Sequence, residues 1–167
     1  MDQLENILDR RSVRSYIDKE VEEDKLDKIL KAAIYAPTGR NSQTLFFVIL
    51  KDKEKKERIL SKAGAEKNFY SAPVIRFTVA RKEDHLNELN VGAALRSARL
   101  EANELGVSSC WIHSAVDALN TPDRRKFLKE ELHLKQEYPV FDCLALGYLK
   151  GDKPICKERN LDEDVIL

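Results

Sequence analysis

Four short apolar runs, separated by helical patterns, constrain this 167-residue chain more than any other feature. Leu45 to Leu50 is apolar throughout and reads as a buried strand. Pro73 to Ala80 is the second run, with proline at the first position, where its missing N–H is tolerated. Arg76 interrupts that run and is expected either at a strand end or paired with an acid across the sheet. Ser108 to Ser114 and Val140 to Leu149 are the third and fourth. Strict alternation of strand and helix points to an open parallel sheet. The G-x-G-x-x-G signature of such a nucleotide fold is absent, however, and patterning does not fix strand direction.

The intervening segments carry helix signals. Asp2-x-x-Glu5 is a capping box for a short helix bearing Leu4, Ile7 and Leu8, which is expected to end near Arg10. Glu22, Glu23 and Asp24 crowd the first turn of the next, where the positive end of the helix dipole favours them. Leu26, Ile29, Leu30 and Ala33 recur at helical spacing, and that helix is expected to run to about Ala36. Lys51 to Lys62 reads as a solvated surface helix, capped by Asp52 and ended by Ala63-Gly64-Ala65. The longest helix spans about His85 to Leu105, with Gly106 as its stop. Its apolar stripe is Val91, Leu95, Ala98, Ala102 and Leu105, widened by Leu86, Leu89, Ala93 and Ala94. Thr121 and Pro122 open a further helix, with Phe127, Leu128 and Leu132 on its core side.

Composition narrows the function classes. With 43% apolar and 35% charged residues, the chain reads as one globular domain over residues 1–167. A formal net charge of zero gives no global attraction for nucleic acid or an anionic membrane. No apolar run approaches the roughly 20 residues of a membrane helix, and Met1 to Glu5 lacks the features of a signal peptide. Cys110 and Cys143 sit in apolar runs and read as core residues, and Cys156 reads as a surface thiol. This usage fits a reducing cytoplasm. His85, His113 and His133 are scattered, so no metal site is expected, and no G-x-S-x-G elbow supports a serine triad.

Two stretches carry the chemistry. Arg10-Arg11-Ser12-Val13-Arg14 sets three guanidinium groups around a serine hydroxyl with no acid between them, a composition suited to bidentate phosphate binding. Pro37-Thr38-Gly39-Arg40-Asn41-Ser42-Gln43 lies at a helix-to-strand junction. Its amide and hydroxyl side chains both donate and accept hydrogen bonds, which suits a flat heterocycle with mixed edges. Gly39 is expected there for its backbone freedom.

In this order and spacing, the two stretches resemble the FMN-dependent nitroreductase family, whose members carry an R-R-S-x-R-like start and a P-S/T-x-x-N-x-Q loop after the next helix. Further along, Trp111-Ile112-His113-Ser114 is similar to the strand end that lies along the flavin ring. Lys157 and Arg159 are similar to a K-x-R pair that returns to the phosphate. The resemblance covers nearly the whole chain. It implies an α+β sandwich with a central, mainly antiparallel sheet of roughly four to five strands flanked by helices. It also implies a homodimer in which the long helix packs at the interface and each FMN is shared between subunits. Arg10, Arg11, Ser12 and Arg14, with Lys157 and Arg159, are then the phosphate ligands. Pro37, Thr38, Gly39, Asn41 and Gln43 reach the flavin from the partner, and Arg14 or Lys157 lies near flavin N1 and O2.

The implied activity is a ping-pong transfer of electrons from NADH or NADPH to a small electrophile such as a nitroaromatic or quinone. A flavin carrier or regulator without NAD(P)H turnover fits the same residues. The chain departs from the family pattern in two places. Thr44 and Leu45 follow Gln43 where a proline and tryptophan are common, and His113 stands where other members carry glycine or an acid. Two readings of His113 stand: a proton donor to the reduced acceptor, or a histidine merely packed near the ring. The segments at 81–86 and 114–121 are also short, where members that cover their pocket carry longer insertions.

Overall fold

The computed structural model describes residues 2–81 and 84–157. Six helices occur among them: α1 (Gln3–Asp9), α2 (Glu23–Ile34), α3 (Lys53–Ala63), α4 (Asn87–Glu104), α5 (Val116–Leu119) and α6 (Pro122–Glu131). The strands are β1 (Leu45–Leu50), β2 (Val74–Ala80), β3 (Ser108–Trp111) and β4 (Val140–Gly147), in spatial order β1-β2-β4-β3. Every neighbouring pair is antiparallel. The alternation of strand and helix therefore does not build a parallel sheet here, and the α+β sandwich holds.

Alternation along the strands splits the core in two. Val74, Leu144 and Leu146 face α2 and α4, together with Phe47 and Ile49 from β1. Ile75, Phe77, Val79, Cys143 and Ala145 face the opposite way, onto α3, α5 and α6. Each large side chain buried this way contributes about 1.5–3 kcal/mol. β1 is an edge strand and only Leu50 in it is fully buried, because one flank lacks a neighbouring strand.

Local signals explain most helix ends. Asp2 accepts from the Glu5 amide at 2.8 Å, and Glu5 accepts from the Asp2 amide at 3.1 Å, completing the capping box. Asp52 accepts from the Lys55 amide at 2.7 Å at the start of α3. Gly106, at φ +71°, turns the chain out of α4 in the left-handed conformation that glycine adopts cheaply. At α6 the Thr121 hydroxyl makes no cap bond; its carbonyl accepts from Arg124 and Arg125 instead. On α4, Val91, Ala94, Leu95, Ala98 and Ala102 are buried as the stripe requires, whereas Leu89 is 71% exposed.

Arg76 is fully buried and pairs across the sheet with Asp142 at 2.9 Å. The Phe47 ring lies 5.0 Å from its guanidinium carbon. Burial pulls the Arg76 pKa down, and the Asp142 charge opposes that pull.

Candidate functional site

The arginine-rich segment is held against the sheet edge formed by β3. The Val13 amide donates to the Ser109 carbonyl at 3.0 Å, and Ser12 and Ser109 form an isolated parallel bridge. Upstream, α1 docks on the C-terminal half of α4. Asn6 donates to the Leu100 carbonyl at 3.0 Å, and Asn103 donates to Asn6 and Asp9 at 2.8 and 3.0 Å. This docking sets the Ser12 hydroxyl against Arg99 of α4, whose Nη2 donates to Ser12 Oγ at 2.9 Å. Burial, reinforced by the positive charge of Arg10, pulls the Arg99 pKa down to about 10.

Arg10 is half-buried beside this pair and Arg14 is exposed. Arg11 is half-buried at the end of α1. Its Nη1 donates to the carbonyls of Leu8 and Arg10, so it satisfies backbone acceptors where α1 stops. The chain beyond β4 returns to the same place. The Lys150 amide donates to the Ser15 carbonyl at 3.0 Å, and Lys153 pairs with Asp9 at 2.5 Å. Lys157 is exposed; Arg159 lies outside the described residues.

A cavity of about 760 Å³ opens beside this cluster, lined by Arg96, Arg99, Trp111, His113, Asp117 and Phe141 among others. Trp111 is 47% exposed, and its ring centroid lies 5.8 Å from that of His113. Ile112 is a partial exception to the expected strand end. Its side chain is buried in the core and its amide is bonded to the Cys143 carbonyl at 2.8 Å. Among the described residues, the amides of His113 and Ser114 make no backbone hydrogen bond, so they are the donors available to a ligand on this rim. Basic groups at one end and free amides with an indole along the side suit an anionic, aromatic cofactor.

The second stretch is shaped by α4 at its other end. The Gly39 amide donates to Asn90 Oδ1 at 2.8 Å, and Asn90 donates to Ser42 Oγ at 3.4 Å. Thr44 donates to Asn87 at 2.8 Å. Arg40, Asn41 and Gln43 all adopt positive φ, at 57°, 52° and 47°. Such residues cost energy and persist where surrounding bonds hold them, commonly at ligand clamps. Gly39 itself is not left-handed. It is needed for space, since a Cβ there would lie 2.4 Å from Leu86 Cδ1. Asn41 and Gln43 are exposed and bonded to each other at 3.0 Å, and Pro37 is exposed beside them. Thr38 and Gln43 line a separate cavity of about 360 Å³ with Leu45 and Phe47 of β1.

The structure thus gathers Arg10, Ser12, Arg14 and the Trp111–Ser114 rim on one side, and keeps the Pro37–Gln43 loop apart from them. Arg99 and Asn90 organise these two groups, and motif reading overlooked both. The signal was present. Arg99 follows Leu95 by four positions, so it falls on the buried stripe of α4, and Asn90 precedes Ala94 by the same spacing.

Fold and site together define an antiparallel sheet sandwich with a cluster of basic side chains at one sheet edge. Residues 7–66 match the Nitroreductase family. The chain is 30% identical over 156 residues to an Archaeoglobus fulgidus protein provisionally named NADH dehydrogenase/NAD(P)H nitroreductase, covering 90% of this chain and 87% of that one. The crystal structure of a nitroreductase with bound FMN from Bacteroides fragilis superposes with a TM-score of 0.85 at 25% identity, covering 100% of this chain and 99% of that chain. An FMN-dependent nitroreductase from Clostridium difficile superposes with a TM-score of 0.79 at 33% identity, covering 98% and 94%. The chain belongs to the nitroreductase family.

Proposed function

We infer that this chain is an FMN-dependent oxidoreductase working as a homodimer, using NADH or NADPH to reduce a small electrophile such as a nitroaromatic or quinone. The observation that carries the reading is the Arg99–Ser12 bond with Arg10 beside it, Arg99 also lining a cavity of about 760 Å³. FMN, when bound, would supply the redox chemistry between nicotinamide and acceptor. The protein's part is to bind and orient. Arg10, Ser12 and Arg14 hold the phosphate, joined by Lys157 and Arg159 from the tail. The amides of His113 and Ser114 and the Trp111 ring hold the flavin edge in register. Pro37, Thr38, Gly39, Asn41 and Gln43 close over it from the second protomer. His113, on the rim of the cavity, delivers a proton to the reduced acceptor in this reading. Residues 1–167 act as a single FMN-binding domain in the cytoplasm. Among the described residues no helix is long and apolar enough to cross a membrane.

The test is an absorbance spectrum of the purified protein followed by anaerobic titration with NADH and NADPH. A flavin spectrum bleached by either nicotinamide, and restored by a quinone or nitroaromatic, is expected. A flavin that neither nicotinamide bleaches would reject turnover, and a protein that takes up no FMN would reject the whole reading.

A further inference from the structure

We propose that Arg99 of α4 is a positioning residue for the phosphate of the bound flavin: it holds the Ser12 hydroxyl as an outward-pointing donor and adds a half-buried positive charge beside it. The inference rests on the FMN reading above and adds to it a residue outside every motif that carries the family resemblance.

The argument begins with hydrogen-bond inventory. Arginine has five N–H donors and no acceptor. Serine has one donor and two acceptor lone pairs. Because Arg99 Nη2 donates to Ser12 Oγ at 2.9 Å, one lone pair of Ser12 is occupied and its proton is driven to point elsewhere. Arg99 Nε approaches Ser109 Oγ at 3.5 Å, which anchors the guanidinium to β3. Ser109 is itself buried, so the anchor does not move with solvent. The Ser12 hydroxyl is thus left as an oriented donor, bonded to an Arg99 that itself lines the cavity.

The electrostatics point the same way. Among the described residues, no carboxylate forms an ion pair with Arg99. After burial, the like charge of Arg10 lowers its pKa most, with Arg96 acting the same way and Cys110 and Tyr16 opposing. Compare Arg76, which is fully buried and has Asp142 at 2.9 Å, whereas Arg99 is half-buried. A desolvated cation with like-charged neighbours costs stability unless an anion completes it. A phosphomonoester, carrying about −1.5 to −2 charges at neutral pH, is such an anion. A residue kept only for folding is expected to stabilise the empty protein. Arg99 is expected to burden the empty protein and be compensated when phosphate arrives.

This opposition of signs is the test. Apoprotein is prepared from the wild type, Arg99→Met, Ser12→Ala and the double variant. Each is titrated with FMN and with riboflavin by flavin fluorescence, and its thermal unfolding is recorded without ligand. For Arg99→Met, FMN affinity is expected to fall at least tenfold, riboflavin affinity to change less than threefold, and the apoprotein midpoint to hold or rise. Arg99 acts through Ser12, so the double variant should lose much less than the product of the two single losses. Arg99→Lys restores the charge but not the fixed geometry, and should recover FMN affinity only in part. Unchanged FMN affinity in Arg99→Met overturns the proposal. So does an equal loss for both flavins with a lowered midpoint, which marks a packing residue. Multiplicative losses in the double variant overturn the coupling to Ser12. Wild-type apoprotein that binds neither flavin rejects the underlying FMN reading instead, so the two failures are told apart.

Discussion

Asn90 and Arg99 stand nine residues apart on α4, which puts them two and a half turns apart, on opposite sides of the helix and about 14 Å along its axis. Asn90 holds the Pro37–Gln43 loop through Gly39, and Arg99 holds the arginine cluster through Ser12. One rigid helix thus fixes both halves of the candidate site and points them in different directions. Within one protomer the halves line different cavities, of about 360 and 760 Å³. A second copy of the chain is the simplest way to bring the two kinds of surface together.

The loop offers the first prediction. A Cβ on Gly39 would meet Leu86 Cδ1 at 2.4 Å, so Gly39→Ala pushes the loop off α4 or forces Leu86 aside. Because Leu86 Cδ1 is the end of a flexible side chain, the cost falls at the low end of overpacking, about 1 kcal/mol. We predict a lower unfolding midpoint and reduced flavin content in Gly39→Ala, both largely restored in Gly39→Ala/Leu86→Ala. If the second substitution restores neither, the glycine is not there for that contact.

The second prediction concerns the buried pair. Removing one member of a buried ion pair typically costs about 3–5 kcal/mol, because the other charge is stranded, whereas an apolar replacement of both is often tolerated. Among the described residues, Arg76 Nε and Nη1 and Asp142 Oδ1 have no hydrogen-bond partner, so this pair is not fully satisfied. Asp142→Leu is therefore expected to be severely destabilised, and Arg76→Met/Asp142→Leu to recover most of that loss in denaturant titrations. A double variant no more stable than Asp142→Leu would show that the pair itself carries the stability.

The third prediction concerns His113, which is exposed, lines the larger cavity and lies 5.8 Å ring to ring from Trp111. If its imidazole delivers a proton, His113→Ala slows reoxidation by the acceptor while reduction by the nicotinamide stays nearly unchanged. Stopped-flow traces with both half-reactions at wild-type rates would reduce it to a packing residue.

Most of the scaffold was legible because its causes are local. The capping box at Asp2 and Glu5, the Asp52 cap and the Gly106 stop each act within a few residues of themselves. Strand direction was not legible, since apolar patterning is the same for parallel and antiparallel neighbours. Arg76 was legible only as a choice between two roles, because its partner lies 66 positions away. The site divided in the same way. Arg10, Ser12 and Arg14 were visible as a cluster in sequence, but Arg99 reaches Ser12 only through the docking of α1 on α4, a separation of 87 residues. Gly39 was noticed for the wrong property. Flexibility was expected, whereas the left-handed angles fall on Arg40, Asn41 and Gln43, and the glycine is required by its contact with Leu86.

The last prediction follows from the opposed halves of α4. We predict that each flavin takes Arg10, Ser12 and Arg14 from one protomer and Asn41 and Gln43 from the other. Consider one chain carrying Arg10→Ala and Arg14→Ala, and a second carrying Asn41→Ala and Gln43→Ala. Each homodimer has both of its sites damaged and should bind FMN poorly. In a mixed dimer, isolated by two affinity tags after co-expression, one site collects every lesion. The other site combines the intact arginine cluster of the second chain with the intact loop of the first. About half of the wild-type flavin content should then return, because the lesions segregate between the two equivalent sites of a two-fold dimer. Were each site built within a single chain, both sites of the mixed dimer would remain damaged. A mixed dimer as poor in flavin as its parents would therefore reject the shared site, and a monomer in sedimentation would reject it before any flavin is measured.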